Sequence, residues 1–286
     1  MKRARKDYLI EVSDDGLPTQ HVGPWAAEKY RRLGMYAEMF ATGMKKTWPT
    51  RVYVDPFSGP GYSRIRDTQK TVLASPLIAL TVPDRFNRYV FSDESPQAVD
   101  ALRVRVARHG TGADVHFLQG DANPLVHDVI TAIPADGRTL TFCFLDPFSL
   151  GIRFQTVRSL AEARPVDFMI LLALGVDANR NMAQYVKDES TRIDDFLGNR
   201  EWRSRWREMS RKKRDVMHFL ATEYARAMVG IGYLDTLPEE MHPVRSYQKN
   251  LPLYYLAFFS RHPLGKTFWR EVQKYSTDQL PLDFSS

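Results

Sequence analysis

The chain has 286 residues, 43% hydrophobic and 12% aromatic, enough for a filled core and too apolar for global disorder. Its net charge of +6 permits an anionic partner without demanding one, and its one cysteine, Cys143, excludes an internal disulfide or a cysteine-based metal cluster. The longest apolar runs, such as 168–174, are far too short to span a membrane, and no apolar stretch follows the basic N-terminus, so a cytoplasmic protein without a signal peptide is expected.

Residues 1–23 are polar and punctuated by Gly and Pro, and read as an irregular arm. Pro24 suits the first position of a helix, and Tyr30, Leu33, Ala37, Phe40 and Met44 recur on one face of it. A β-rich run at 51–54 ends in the turn Asp55-Pro56-Phe57-Ser58-Gly59-Pro60-Gly61. A polar connector, 62–74, leads to a helix start at Ser75-Pro76, with Ser75 as the expected N-cap. Strands follow at 88–91, 115–118, 139–145 and 167–172, separated by helices at 95–110, 124–133 and 154–163. This alternation predicts a mainly parallel sheet with helices on both faces. Residues 180–239 read as a helical insertion, after which the runs 244–247 and 253–259 are joined too tightly for anything but an antiparallel pair. The expected organisation is the arm, an α/β domain formed by 24–179 and 240–280, and the insertion between strands five and six.

In an open parallel sheet, ligands bind beyond the carboxyl ends of the strands. Those ends here carry Asp55 with the glycine turn, Asp93-Glu94, Gly120-Asp121-Ala122 and Asp146-Pro147-Phe148. A single glycine-rich turn is weak evidence, whereas an ordered series of acidic strand ends is much stronger. A nicotinamide site fits poorly, because its fingerprint needs a third glycine opening a helix and an acid about 20 residues further on. Tyr62, Ser63 and Arg64 follow Gly61 instead, and Asp93 lies too far along.

Together these ends resemble class I S-adenosylmethionine (SAM)-dependent methyltransferases, whose Rossmann-like fold is a seven-stranded sheet finished by an antiparallel hairpin. More narrowly, Trp25-x-x-x-Lys29, Val54 to Gly61, Ser75 to Ala79, Phe144 to Phe148, Tyr254 to His262 and Trp269 are similar to the three-Cys-motif partner (TcmP) family. The resemblance spans about 22–275. It implies SAM as cofactor, with Phe57, Gly59 and Gly61 around its methionine part and Asp93 or Glu94 on the ribose. Asp121 and the Ala122 amide would read the adenine, and Asp146 would face the methyl-transfer position. It also implies a separate partner protein carrying a three-cysteine motif, and makes Lys29 a candidate substrate contact.

Asp146-Pro147-Phe148 offers a carboxylate to orient a nucleophile and a ring to stack on a planar group. It partly resembles the Asp-Pro-Pro-aromatic signature of amino methyltransferases, with one proline missing. Cys143 lies inside an apolar strand and reads as core packing, not as a nucleophile. The stretch 200–214 holds eight basic residues against two acidic, with Trp202 and Trp206 about one turn apart. Arg203, Trp206 and Arg207 are therefore candidates for nucleic-acid contact, set against the alternative of a solvated helix anchored by its tryptophans. The seven histidines show no ligand spacing, so no metal is expected. The expected function is methyl transfer to a nucleic acid or a partner-bound substrate, with N-methylation one reading of the Asp-Pro-Phe turn and a strand-end Asp that only caps the following turn the other. A non-catalytic partner subunit and a nucleic-acid-binding module stay open as alternatives.

Overall fold

The apolar run at 139–145 forms a strand buried at every one of its seven positions, as a strand covered on both faces should be. The computed structural model describes residues 6–110, 112–175, 177–187, 190–209, 215–245 and 252–276. In chain order the elements are β1 (Gln20–Val22), α1 (Ala26–Gly43), β2 (Thr50–Asp55), β3 (Tyr62–Ile65), β4 (Thr71–Leu73) and α2 (Ser75–Leu80). Then come β5 (Arg88–Asp93), α3 (Pro96–His109), β6 (Val115–Gln119), α4 (Val126–Ala132), β7 (Thr139–Leu145), α5 (Phe154–Ala163) and β8 (Val166–Leu172). The insertion supplies α6 (Asp177–Tyr185), α7 (Arg192–Leu197), α8 (Trp202–Glu208) and α9 (Val216–Gly230), followed by β9 (His242–Arg245), β10 (Pro252–Phe259) and α10 (Pro263–Ser276).

The main sheet has seven strands in the order β6-β5-β2-β7-β8-β10-β9. β6, β5, β2, β7 and β8 run parallel, while β10 is antiparallel to both β8 and β9. This is the Rossmann-like methyltransferase order, closed by its antiparallel hairpin. Strand alternation divides the core. Phe142, Phe144, Met169 and Phe258 face α1, α2, α3 and α10, whereas Cys143, Leu145, Phe168, Ile170 and Phe259 face α4, α5 and the insertion. The insertion shares that second core: the Tyr224 ring meets Phe154, Phe196 and Phe259 at centroid distances of 5.7, 4.9 and 5.9 Å.

Several segments differ from the sequence expectation. The polar connector 62–74 forms a hairpin, β3–β4, which with β1 makes a second, three-stranded sheet. Its residues Tyr62, Ile65, Val72 and Leu73 are buried, on either side of the charges of 64–70 that give the stretch its polar character. The arm is not irregular throughout. β1 lies parallel to β3, Glu11 bridges to Val72, and Tyr8 is buried against the core. One side chain secures it: Arg105 of α3, fully buried, donates to Asp15 through two nitrogens and to the carbonyls of Pro18 and Pro60 at 2.8 and 2.7 Å. Ser95 caps α3 by accepting from Ala98 N–H. Ser75 does not cap α2; Ala74 stands at that position without a side-chain cap, and the Ser75 hydroxyl bonds to Asp55. The strand expected at 244–247 starts earlier, at His242, and residues 246–250 lie outside the described ones.

Candidate functional site

Beyond Asp55 the chain turns with positive φ at Gly59 (59°) and Gly61 (89°), a region that glycine enters without steric cost. A Cβ on Gly61 would stand 2.8 Å from Leu102 Cδ1, and one on Gly59 would face Gln20 Oε1 at 3.3 Å. The turn is fastened to the end of β5. Ser58 N–H and Oγ donate to the Ser92 carbonyl at 2.9 and 3.0 Å, and Gly59 N–H donates to Asp93 Oδ2 at 2.9 Å.

Because β6, β5, β2 and β7 are neighbours, their acids form one row along a single sheet edge. Asp93 is half-buried and also accepts from Ser95 N–H at 2.9 Å, so each of its oxygens is used once and keeps a lone pair for a diol. Asp121 is exposed, accepts through Oδ1 from Asn123, and has its other oxygen open among the described residues. Ala122 is buried behind it, and Glu94 is exposed beside Asp93. Asp55 behaves differently. It is fully buried and accepts from Phe57 N–H and Tyr53 O–H, which ties the turn together from inside. Burial, and secondarily the Asp146 charge, push its pKa up to about 7 against the hydrogen bonds that favour ionisation.

Asp146 forms a partly buried ion pair with Lys29 of α1, joining Trp25-x-x-x-Lys29 to Asp146-Pro147-Phe148. Burial disfavours the Lys29 ammonium, but the Asp146 carboxylate outweighs it and holds the lysine pKa above its ordinary value. Lys29 engages Asp146 Oδ2, while Oδ1 carries no hydrogen bond among the described residues. Tyr30 is locked alongside by a 2.7 Å hydrogen bond to Ser63. The pair lies on a cavity of about 360 Å³ whose walls include Gln20, Trp25, Arg66, Phe148 and Tyr254. Pro147 is buried, whereas Phe148 projects with 82% of its surface exposed. Gln20 and Arg66 escaped the sequence reading because the arm and the connector carrying them look like solvated loop. A larger cavity of about 700 Å³, with Trp48, Val166 and Asp167 in its wall, opens at the amino ends of β7 and β8. It holds none of the acidic strand ends and is the wrong edge for a doubly wound sheet to bind its cofactor.

The basic stretch does not form an outward stacking platform. Trp202 and Trp206 are buried, at 0% and 6% exposure, and Trp206 packs on Phe219 at 5.0 Å. Arg203 is buried too, its guanidinium bonded to Asp194 and to the Ser190 carbonyl. Both side chains are consumed in attaching α8, so neither Trp206 nor Arg203 is presented to a substrate; Arg207 is exposed, and residues 210–214 lie outside the described ones. Cys143 is buried in β7, and burial raises its thiol pKa far above the ordinary range. Among the described residues, no cluster of His, Cys, Asp and Glu is arranged to hold a metal ion, and no helix is long and apolar enough to cross a membrane.

No family model matches the chain, and no curated protein does. Among solved structures, the chain is similar to Trm1 from Pyrococcus horikoshii in complex with S-adenosyl-L-methionine, at 12% identity and a TM-score of 0.43. That match covers 82% of this chain and 57% of the other. It is also similar to an rRNA methylase from Streptococcus thermophilus, at 12% identity over 57% and 81% of the two chains with a TM-score of 0.34. A third is a SAM-dependent methyltransferase from Clostridium acetobutylicum, at 13% identity over 49% and 51% with a TM-score of 0.31.

Proposed function

We propose that this chain is a SAM-dependent methyltransferase whose acceptor, a nucleic acid or a partner-bound substrate, enters the cavity beside Asp146. The observation that carries this is the single row of Asp121, Asp93, the glycine turn and Asp146 along the carboxyl edge of the sheet. The residues fit the cofactor: two positive-φ glycines leave the turn without side chains, and Asp93 keeps lone pairs for vicinal hydroxyls. Asp93 would hold the ribose, Asp121 the adenine amino group, and Phe57, Gly59 and Gly61 the methionine part. When bound, SAM supplies a methyl group made electrophilic by its sulfonium.

The chain's own part is positioning and proton management. Lys29 fixes one oxygen of Asp146, so the other is aimed by a rigid, charged pair and accepts an N–H of the incoming group. The acceptor nitrogen's lone pair is thereby oriented, and the proton it must shed has a carboxylate to leave to. This favours N-methylation. The resemblance to three-Cys-motif partners adds a companion protein to the proposal, one that could deliver the substrate.

Calorimetric titration with SAM and S-adenosylhomocysteine tests it. Micromolar binding is expected, and Asp93→Ala or Asp121→Ala should weaken it by at least tenfold. Undiminished affinity in both variants would remove the site assignment, and no binding by the wild-type chain would remove the enzyme.

A further inference from the structure

The proposed methyltransferase leaves its acceptor undefined, and the cavity wall narrows it. We infer that the acceptor is an unpaired nucleobase of a polynucleotide, stacked on Phe148 with its backbone phosphate on Arg66. This rests on the methyltransferase reading and specifies its substrate.

Phe148 is the most exposed of the large apolar side chains among the described residues, at 82% against 53% for Leu237, the next. Its position is not that of a stray surface ring. It follows the buried Pro147 directly and lines the same cavity as Asp146. An aromatic face beside a carboxylate acceptor suits a planar ring bearing an amino group: the ring stacks, and the amino N–H donates to Asp146. Trp25, Leu171 and Tyr254 add apolar and aromatic wall beside the polar Gln20, and about 360 Å³ lies within the range of small-molecule sites.

The charges on the rim extend this from a free base to a polynucleotide. The β3–β4 hairpin carries three cations, Arg64, Arg66 and Lys70. Two are neutralised by the arm: Arg64 pairs with Asp14, and Lys70 pairs with Glu11 at 2.6 Å. Arg66 is exposed, lines the cavity and has no ion-pair partner among the described residues. His21, also exposed, stands on the same wall. Its position is fixed by the backbone, since Arg66 N–H donates to the Val22 carbonyl at 3.0 Å and so joins the hairpin to β1. A guanidinium held at a cavity mouth and left without a counter-charge is suited to a phosphate. The base must be unpaired, because Asp146 lies below the rim and a base within a duplex presents its amino group to its partner.

Fluorescence anisotropy with short mixed-sequence single-stranded DNA and RNA, in saturating S-adenosylhomocysteine, tests the inference and separates the two sugars. Salt-dependent binding is expected for at least one of them, with the matching duplex competing at least tenfold more weakly. Phe148→Ala should weaken binding roughly tenfold. Arg66→Glu should weaken it similarly and lower the salt slope by about 1. Neither should change calorimetric affinity for S-adenosylhomocysteine. Cofactor binding without single-strand binding, equal competition by duplex, or wild-type oligonucleotide affinity in both variants would overturn the inference while leaving the methyltransferase in place. Absence of cofactor binding would remove both.

Discussion

Replacing Arg105 by alanine tests what holds the arm over the glycine turn. The guanidinium is fully buried, donates to both oxygens of Asp15 at 3.0 and 2.5 Å, and lies 3.9 Å over the Tyr62 ring. It also donates to the Pro60 carbonyl inside the glycine turn. Removing one partner of a buried pair costs about 3–5 kcal/mol. Asp15 retains 13% exposure of its side chain and can rehydrate as the arm lifts, which places the cost near the lower bound, about 3 kcal/mol. The loss should be local, because the arm's other ties (the short β1–β3 pairing, the backbone bonds of 10–12 to β4, Tyr8 and the Arg64–Asp14 and Lys70–Glu11 ion pairs) do not involve β5 or β7. Hydrogen exchange is the assay: protection over residues 8–22 should fall on the order of a hundredfold, while β5 and β7 stay protected. Arg105→Lys should recover little, since an ammonium cannot span Asp15 and two carbonyls at once. Full protection of 8–22 in a folded Arg105→Ala protein would refute the reasoning and leave strand pairing and Tyr8 as sufficient anchors.

Lys29→Met leaves the Asp146 carboxylate without its counter-ion and should cost about 3 kcal/mol in denaturant unfolding, most of it recovered when Asp146→Asn is added. Additive effects in that cycle would mean the two groups are not coupled. Stability should also fall as pH rises from about 4 through about 7. Burial holds Asp55 and Asp167 at about 7 against an ordinary 3.8, so the native state keeps protons that the unfolded state has lost. Each group contributes up to ~4 kcal/mol to that slope, and Asp55→Asn and Asp167→Asn should each flatten it. Glu28 works in the opposite direction. Despite its burial, His242 and Arg32 lower its pKa to about 2, so its contribution is present above pH 4.5 and lost on acidification toward pH 2. Unfolding curves at several pH values check both signs, and a flat wild-type profile between pH 4 and 7 would refute the first.

The parts of this molecule legible in its sequence are those in which one physical demand acts alone. β7 is apolar because both of its faces are covered, so 139–145 declares itself without reference to anything distant. The same holds for Ser95 before Pro96, where a cap and a fixed φ coincide, and for the acids that end successive strands. Legibility fails where two demands compete. Residues 62–74 bury Tyr62, Ser63 and Ile65 in one strand and Thr71, Val72 and Leu73 in the other, yet the charges of Arg64, Arg66, Asp67 and Lys70 make the stretch read as a solvated connector. The arm is polar because its partner is a buried arginine and not an apolar face, and nothing in 14–19 announces that Arg105 lies about 90 residues away in the chain. The basic helix left two readings open, nucleic-acid contact and anchoring by its tryptophans, because composition alone does not reveal the buried acid, Asp194, that accepts from Trp202 and Arg203 and turns both into the core. The candidate site combines both kinds of segment. Its acids stand on legible strands, whereas Gln20 and Arg66 come from segments whose structure depends on long-range polar contacts. That division explains why the acidic strand ends could be read from residue order, and why the rest of the cavity wall emerged only with the fold.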